Sequence, residues 1–292
     1  MDRREFIRQS TLTAAAFGMS GLTTLAPREA RAGAVDVSFA AEGVQKSMID
    51  GTSIFTWQFR DLSGFGPGGL TSGLVVLEGD AVEITVYNDL DRPINLEIPG
   101  VLEGTPAVAP AGSRTYSFSA PPAGSYFYHD AVNGEIGRAM GLAGPLIVMP
   151  SDGSNRLYTG GPAFDRQYTL VLHELDDRLN SAIAGGGTYD MEDYEPNYFF
   201  VNGLSFPDTA GDSDTLVTMN VGDDVALRLV NTGVITNPMH FHGYHVDVAT
   251  RNRVPETAIV TKDTVLVNVG ECVDVILPCN QPGAYPLHTH YV

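Results

Sequence analysis

The 292-residue chain has little positive charge, only two cysteines and no long apolar run beyond its first thirty residues. Each shortage excludes something. Lys and Arg total 17 against 35 Asp and Glu. An acidic surface repels phosphate backbones, so nucleic acid is not an expected partner. It suits solvation, and equally the gathering of cationic ligands such as metal ions. Cys272 and Cys279 flank the run Val273 to Pro278, which has the pattern of a strand. Seven strand residues separate the two by roughly 23 Å, and a disulfide needs Cα atoms about 4.4–6.8 Å apart. No bond between them is expected, and their odd spacing puts them on opposite faces. Catalytic Ser/His/Asp arrangements, P-loops and dinucleotide fingerprints are also missing. After Ala32 nothing is apolar and long enough to span a bilayer.

The first 32 residues have the pattern of an export segment. Arg3-Arg4-Glu5-Phe6-Ile7 precedes an apolar, small-residue stretch from Thr11 to Ala26, and Ala30-Arg31-Ala32 resembles a cleavage site. The pattern resembles a twin-arginine signal, a receptor-read address rather than an anchor. A periplasmic or secreted, soluble mature chain is expected. Removing residues 1–32 takes away five Lys/Arg and three Asp/Glu, leaving 12 against 32 and a net charge near −20.

Strand signals dominate the remainder. Leu74 to Asn88 alternates apolar and polar residues around Gly79-Asp80, and Leu216 to Asn231 repeats the design around Gly222-Asp223. Pro121 to His129 similarly parallels Gln281 to His288. Two similar units rich in short strands point to an all-β chain of two sandwiches, at 33–155 and 156–292. The boundary falls in the linker-like stretch Pro150 to Phe164. Ala182 to Asn197 is a second long, Gly- and acid-rich connection, a candidate mobile or functional segment. The first unit ends in a closing strand, Ala143 to Met149. The second has no counterpart after His290, so the sequence is expected to be truncated at Val292, with a strand from another chain as the alternative.

Four of the seven histidines lie in two His-x-His pairs, His240/His242 and His288/His290. In a strand, residues i and i+2 share a face, so each pair can aim two imidazoles at one point. Imidazole suits copper, zinc, iron and nickel. His245 and His173 fit structural or exposed strand positions, and Trp57 fits the core.

The chain resembles the multicopper oxidases, the laccase family, over most of residues 35–292. The carriers are Gly79-Asp80 with Val82 and Asn88, Gly124 to His129, Tyr198 to Gly203 with Phe206 to Thr209, Pro238 to Gly243, Lys262 to Val265, and His288-x-His290. The resemblance implies two cupredoxin-like Greek-key β-sandwich domains and a copper cofactor. It also implies a small-molecule substrate or dioxygen, and the homotrimer that two-domain members often form. The family's type 1 thiolate position between the last two histidines is Thr289 here, and the type 1 histidine expected before Pro238 is Asn237. No type 1 copper is therefore expected. Of eight trinuclear histidines, five remain: His240, His242, His288 and His290 in the second unit and His129 in the first. The first unit has Glu97-Ile98-Pro99-Gly100 in place of His-x-His-Gly, and Ala131 in place of the histidine two after His129. Glu97 falls where a type 2 ligand belongs, as a candidate carboxylate ligand or a surface charge. These features imply an exported copper-binding oxidoreductase with a mono- or dinuclear histidine site. The alternatives are a copper-handling protein without turnover and a non-catalytic periplasmic scaffold. No catalytic residue beyond the candidate ligands is assigned.

Overall fold

A computed structural model describes residues 33–64 and 73–290; the export-like segment at 1–32 lies outside these. The all-β expectation holds. The first unit contains β1 (Ala34–Ser47), β2 (Ser53–Asp61), β3 (Leu74–Leu77), β4 (Ala81–Asn88), β5 (Ser113–Ser119), β6 (Gly124–His129), helix α1 (Gly134–Ala139) and β7 (Ala143–Met149). The second contains β8 (Arg166–Leu175), helix α2 (Asp177–Ala184), β9 (Tyr198–Val201), β10 (Asp224–Asn231), β11 (Asn237–Phe241), β12 (Val246–Arg251), β13 (Val254–Lys262), β14 (Thr264–Val267), β15 (Cys272–Pro278) and β16 (Leu287–Thr289). Sheet order is β2-β1-β4-β5 over β3-β7-β6 in the first unit, and β13-β12-β15-β10-β8-β9 over β14-β11-β16 in the second. No helix among the described residues is long and apolar enough to cross a membrane.

The repeat seen in the sequence is built from matching hydrogen bonds. Asn88 Nδ2 donates to the carbonyls of Arg92 (2.8 Å) and Val108 (2.9 Å), while its Oδ1 accepts from the Leu90 amide. Asn231 does the same with Ile235 (2.7 Å), Val267 (3.2 Å) and the Gly233 amide. Asp80 and Asp223 each close their Gly-Asp turn by accepting the amide three residues back, at 2.8 Å. The glycine before each has positive φ, 88° and 102°, a backbone that a side chain would strain.

One predicted strand does not form. Leu216 to Val221 copies β3 in sequence, but β3 is held by β7. Among the described residues nothing pairs with 216–221, and Leu216 and Val221 are exposed. The connection from Ala182 to Asn197 is packed over part of its length. Its start completes α2, capped by the Asp176 carboxylate on the Arg178 amide, and Tyr189, Met191 and Tyr194 pack on the core of the first unit.

The two units meet through the outward faces of β6, β7, β10 and β15. In β10, Val225, Leu227 and Leu229 face the second unit's own core, so alternation sends Ala226, Arg228 and Val230 the other way. In β15 the outward set is Cys272, Asp274 and Ile276. They meet Ile147 and Met149 of β7 and Phe127 of β6. Arg228 and Asp274 are ladder partners, both fully buried, with Nη1 and Oδ2 3.7 Å apart. Asp274 accepts from Ser125 of the first unit (2.5 Å) and from Thr250 (2.8 Å). Arg228 reaches Gln167, Ser125, the Leu157 carbonyl and the Met149 sulfur. Cys272 and Cys279 are free and buried in different clusters, as their spacing predicts.

Removing one charge strands the other in an apolar seam. Asp274→Ala is expected to lower the unfolding free energy by about 3–5 kcal/mol, measured by urea denaturation. The double variant Arg228→Met/Asp274→Asn, which buries no charge, recovers part of that loss. An unchanged denaturation midpoint in the single variant contradicts this account of the seam.

Candidate metal centre

β11 lies between β14 and β16, and its register places the histidines. Met239 pairs with Thr289, and His240 pairs with His288. Met239 and Phe241 are buried in the core, so alternation turns His240 and His288 to the opposite face. His242 follows in the turn after β11 and His290 follows β16, so all four rings gather there. His240 is half-buried and the other three are exposed.

Ring centroids lie 4.7 Å apart for His240–His242, 4.8 Å for His240–His290, 4.9 Å for His288–His290, 5.0 Å for His242–His288 and 5.8 Å for His240–His288. The Nε2 atoms of His242 and His288 are 2.8 Å apart. That is a hydrogen bond between the two rings, one Nε2 donating and the other accepting. His288 Nδ1 contacts the Thr289 carbonyl at 3.1 Å. His240 Nδ1 contacts the Asp263 carbonyl at 3.0 Å and the Thr264 hydroxyl at 2.9 Å. A carbonyl only accepts, so both rings carry their proton on Nδ1, and the Nε2 of His288 is the acceptor in its contact with His242. His242 is less basic than an ordinary histidine, through desolvation first and then repulsion from His240, His288 and His290. That keeps it neutral, the form that binds metal.

The four rings thus stand side by side on one face, as a candidate set of ligands. Among the described residues no three His, Cys, Asp or Glu side chains already converge as a closed cage. Imidazole ligands suit copper, zinc, iron and nickel alike.

His129 lies apart from this group. Its ring stacks on Phe127, with centroids 5.4 Å apart, and its Nδ1 contacts the Asp130 carbonyl at 3.2 Å. Burial lowers its pKa. It is nonetheless the repeat's copy of His288. Glu97 pairs with His129 across an isolated bridge as His240 pairs with His288. Glu97 is half-buried rather than a simple surface charge. Its Oε1 accepts from Asn95 Nδ2 and from the Thr105 amide, both at 3.1 Å. Ala131, where a second histidine was expected, has its amide bound to Asn95 Oδ1 at 2.7 Å.

His245 is exposed and His173 is buried in β8, as the sequence suggested for structural positions. Trp57 is buried in the first unit's core. Sequence reasoning gave no role to Asp263 and Thr264, although both lie in a motif it singled out. The structure shows that they orient His240.

The comparisons agree with this architecture. Residues 69–153 and 187–292 each match a multicopper oxidase family model. A copper-containing nitrite reductase of Alcaligenes xylosoxydans xylosoxydans is 26% identical over 87% of this chain and 81% of its own length. Laccase-3 of Botryotinia fuckeliana is 25% identical over 71% of this chain but only 47% of its own length. Among solved structures, a blue copper oxidase from Nitrosomonas europaea superposes with a TM-score of 0.70 at 26% identity, covering 89% of this chain and 80% of its own. With two matching family models across both β-sandwiches, the chain belongs to the multicopper-oxidase-like family.

Proposed function

We propose that the chain is an exported, copper-binding oxidoreductase of this family with a reduced, mono- or dinuclear histidine site and no type 1 copper. The observation that carries this reading is the 2.8 Å approach of His242 Nε2 and His288 Nε2 inside a group of four imidazoles. His242 and His288 would hold the metal, with His240 and His290 as the further ligands beside them. Copper there supplies a redox centre and a Lewis acid for dioxygen or a small oxidisable molecule.

The chain's own residues define the rest. Asp263 and Thr264 fix the tautomer of His240. Thr289 pairs with Met239 between the two outward histidines and offers no thiolate. With copper bound there, electrons would come from a substrate reaching the exposed rings or from a partner, and not through a cysteine at this position. Gly243, at φ 70°, lets the turn after His242 close against Tyr285; a Cβ there would lie 2.5 Å from the Tyr285 ring. The exposure of His242, His288 and His290 also favours a second reading, copper handling without turnover, because an open site exchanges its metal readily.

Copper loading of the full chain, followed by metal analysis and EPR, is expected to give one or two copper ions per chain. An intense thiolate-to-copper band should be missing. His242→Ala and His288→Ala are expected to lose the bound copper, and occupancy that survives both substitutions sinks the site. Thr264→Val should weaken copper binding by about 10–100-fold while the thermal unfolding midpoint stays close to wild type. Oxygen consumption with small phenols, amines or reduced metal ions then separates an oxidoreductase from a carrier. Uptake of copper with no turnover of any of them favours the carrier.

A further inference from the structure

Glu174 on β8 is 1% exposed and serves none of the roles above. Its Oε1 accepts two backbone amides, Val234 at 2.6 Å and Ile235 at 3.1 Å. Its Oε2 is buried without a hydrogen-bond partner among the described residues. The chain bends tightly around this carboxyl. A Cβ at Gly233 would lie 2.1 Å from Oε2 and 2.5 Å from Oε1, so a larger residue there would push the carboxyl out of place. The same turn is held from its other side by Asn231, through the Gly233 amide and the Ile235 carbonyl. Two residues after Ile235 the chain enters β11, which carries His240.

The internal repeat shows that this carboxyl is an addition. In the first unit Ala41 pairs with Asn88, and in the second Leu172 pairs with Asn231. Counting two residues on from each places Gly43 where the second unit has Glu174. The Asn-based turn is thus common to both units. The buried acid beneath it occurs only in the unit with the histidine pairs.

We propose that Glu174 is a positioning residue for the histidine strand: its carboxyl fixes the Gly233–Ile235 turn through two amides, and gain or loss of its proton shifts that turn and the seating of His240. The proposal rests on the metal-site reading for its function and on the geometry alone for its mechanism. A carboxylate accepts both amides strongly, whereas a protonated acid accepts less strongly and turns one oxygen into a donor. Burial pushes the Glu174 pKa up to about 7, against the pull of the Val234 and Ile235 amides and the nearby Arg138 of α1. The other titratable groups around it are Tyr194, whose hydroxyl donates to the Glu174 carbonyl rather than its carboxyl, and His173 beside it on β8.

The sign of the linkage follows. The ordinary carboxyl value is 4.5, so between that and about 7 the folded chain holds a proton that the unfolded chain has released. Stability from this group is present below that window and is lost as pH rises through it. His173 acts in the opposite sense. Burial lowers its pKa to about 4, so its contribution is present above 6.5 and is lost as pH falls. A bare stability profile mixes the two, and the isosteric Glu174→Gln separates them. Glutamine keeps an acceptor for both amides and has no proton to lose.

The test follows backbone amide signals of the full chain, with and without copper, between about pH 5 and 8. In wild type, Val234 and Ile235 should shift together with a midpoint near 7, and the His240 amide should show a step at the same midpoint. Glu174→Gln should abolish that shared step. With copper, the wild-type to Glu174→Gln affinity ratio should change across the same pH window. Glu174→Ala, which leaves both amides without an acceptor, should bind copper about tenfold more weakly or worse. If Val234 and Ile235 stay flat in wild type, or titrate equally in Glu174→Gln, the proposal fails. It also fails if the His240 step is missing or the affinity ratio is independent of pH. If no variant binds copper, the metal-site reading falls, and the amide shifts still decide the positioning of His240.

Discussion

The placement of everything else depends on a buried ion pair that strand alternation alone would have sent to solvent. Arg228 and Asp274 sit opposite each other on β10 and β15, on the face turned away from their own unit's core. Burying such a pair is expensive unless every remaining donor and acceptor is satisfied. Here Ser125 of the first unit and Thr250 of the second complete the carboxylate. Gln167, Ser125 and the Leu157 carbonyl complete the guanidinium. Because the partners come from both units, the network fixes how one sandwich lies on the other more strictly than apolar packing would. Ile147, Met149, Ala226 and Ile276 then pack around it as an apolar rim.

That fixed placement gives the two copies of one design different work. Each unit contains the same Gly-Asp turn, the same Asn-anchored loop and the same bridge between a motif strand and the strand that follows. What differs is the side chain each backbone position presents. At the bridge, the second unit puts His240 opposite His288, and the first puts Glu97 opposite His129. Glu97 is already engaged by Asn95 and Thr105, and the Ala131 amide is held by the same Asn95. The first unit has turned its copy of the site into a hydrogen-bonded platform. The second has kept its rings bare and outward.

Much of this was legible in the sequence, for identifiable reasons. Period-two alternation in β4 and β10 and the i,i+2 spacing of the histidines are local patterns, and local patterns survive folding. The spacing of Cys272 and Cys279 ruled out a bond between them for the same reason. The misses are all long-range. Leu216 to Val221 carries the pattern of a strand, but a strand forms only where a neighbour supplies its ladder, and β3 has β7 while this segment has none among the described residues. The packing of the stretch after Ala182 was hidden because the apolar contacts of Tyr189, Met191 and Tyr194 belong to the other unit. Asp263 and Thr264 were visible as part of a motif. Their contact with His240 Nδ1, more than twenty residues away in sequence, was not.

The histidine group is open to solvent, and the rigidity it needs must come from beneath. Three of its rings are exposed, so packing around the rings fixes little. Three inward attachments carry the site instead. Met239 and Phe241 root β11 in the core, Asp263 and Thr264 hold His240 from β14's end, and the turn entering β11 is clamped between Asn231 and Glu174. The first two hold through no carboxyl. The third contains a buried carboxyl near Arg138, one oxygen of which has no hydrogen-bond partner among the described residues. An open group of imidazoles resting on a buried carboxyl combines easy access with a position that the medium can tune, and the two properties come from opposite sides of the same strand.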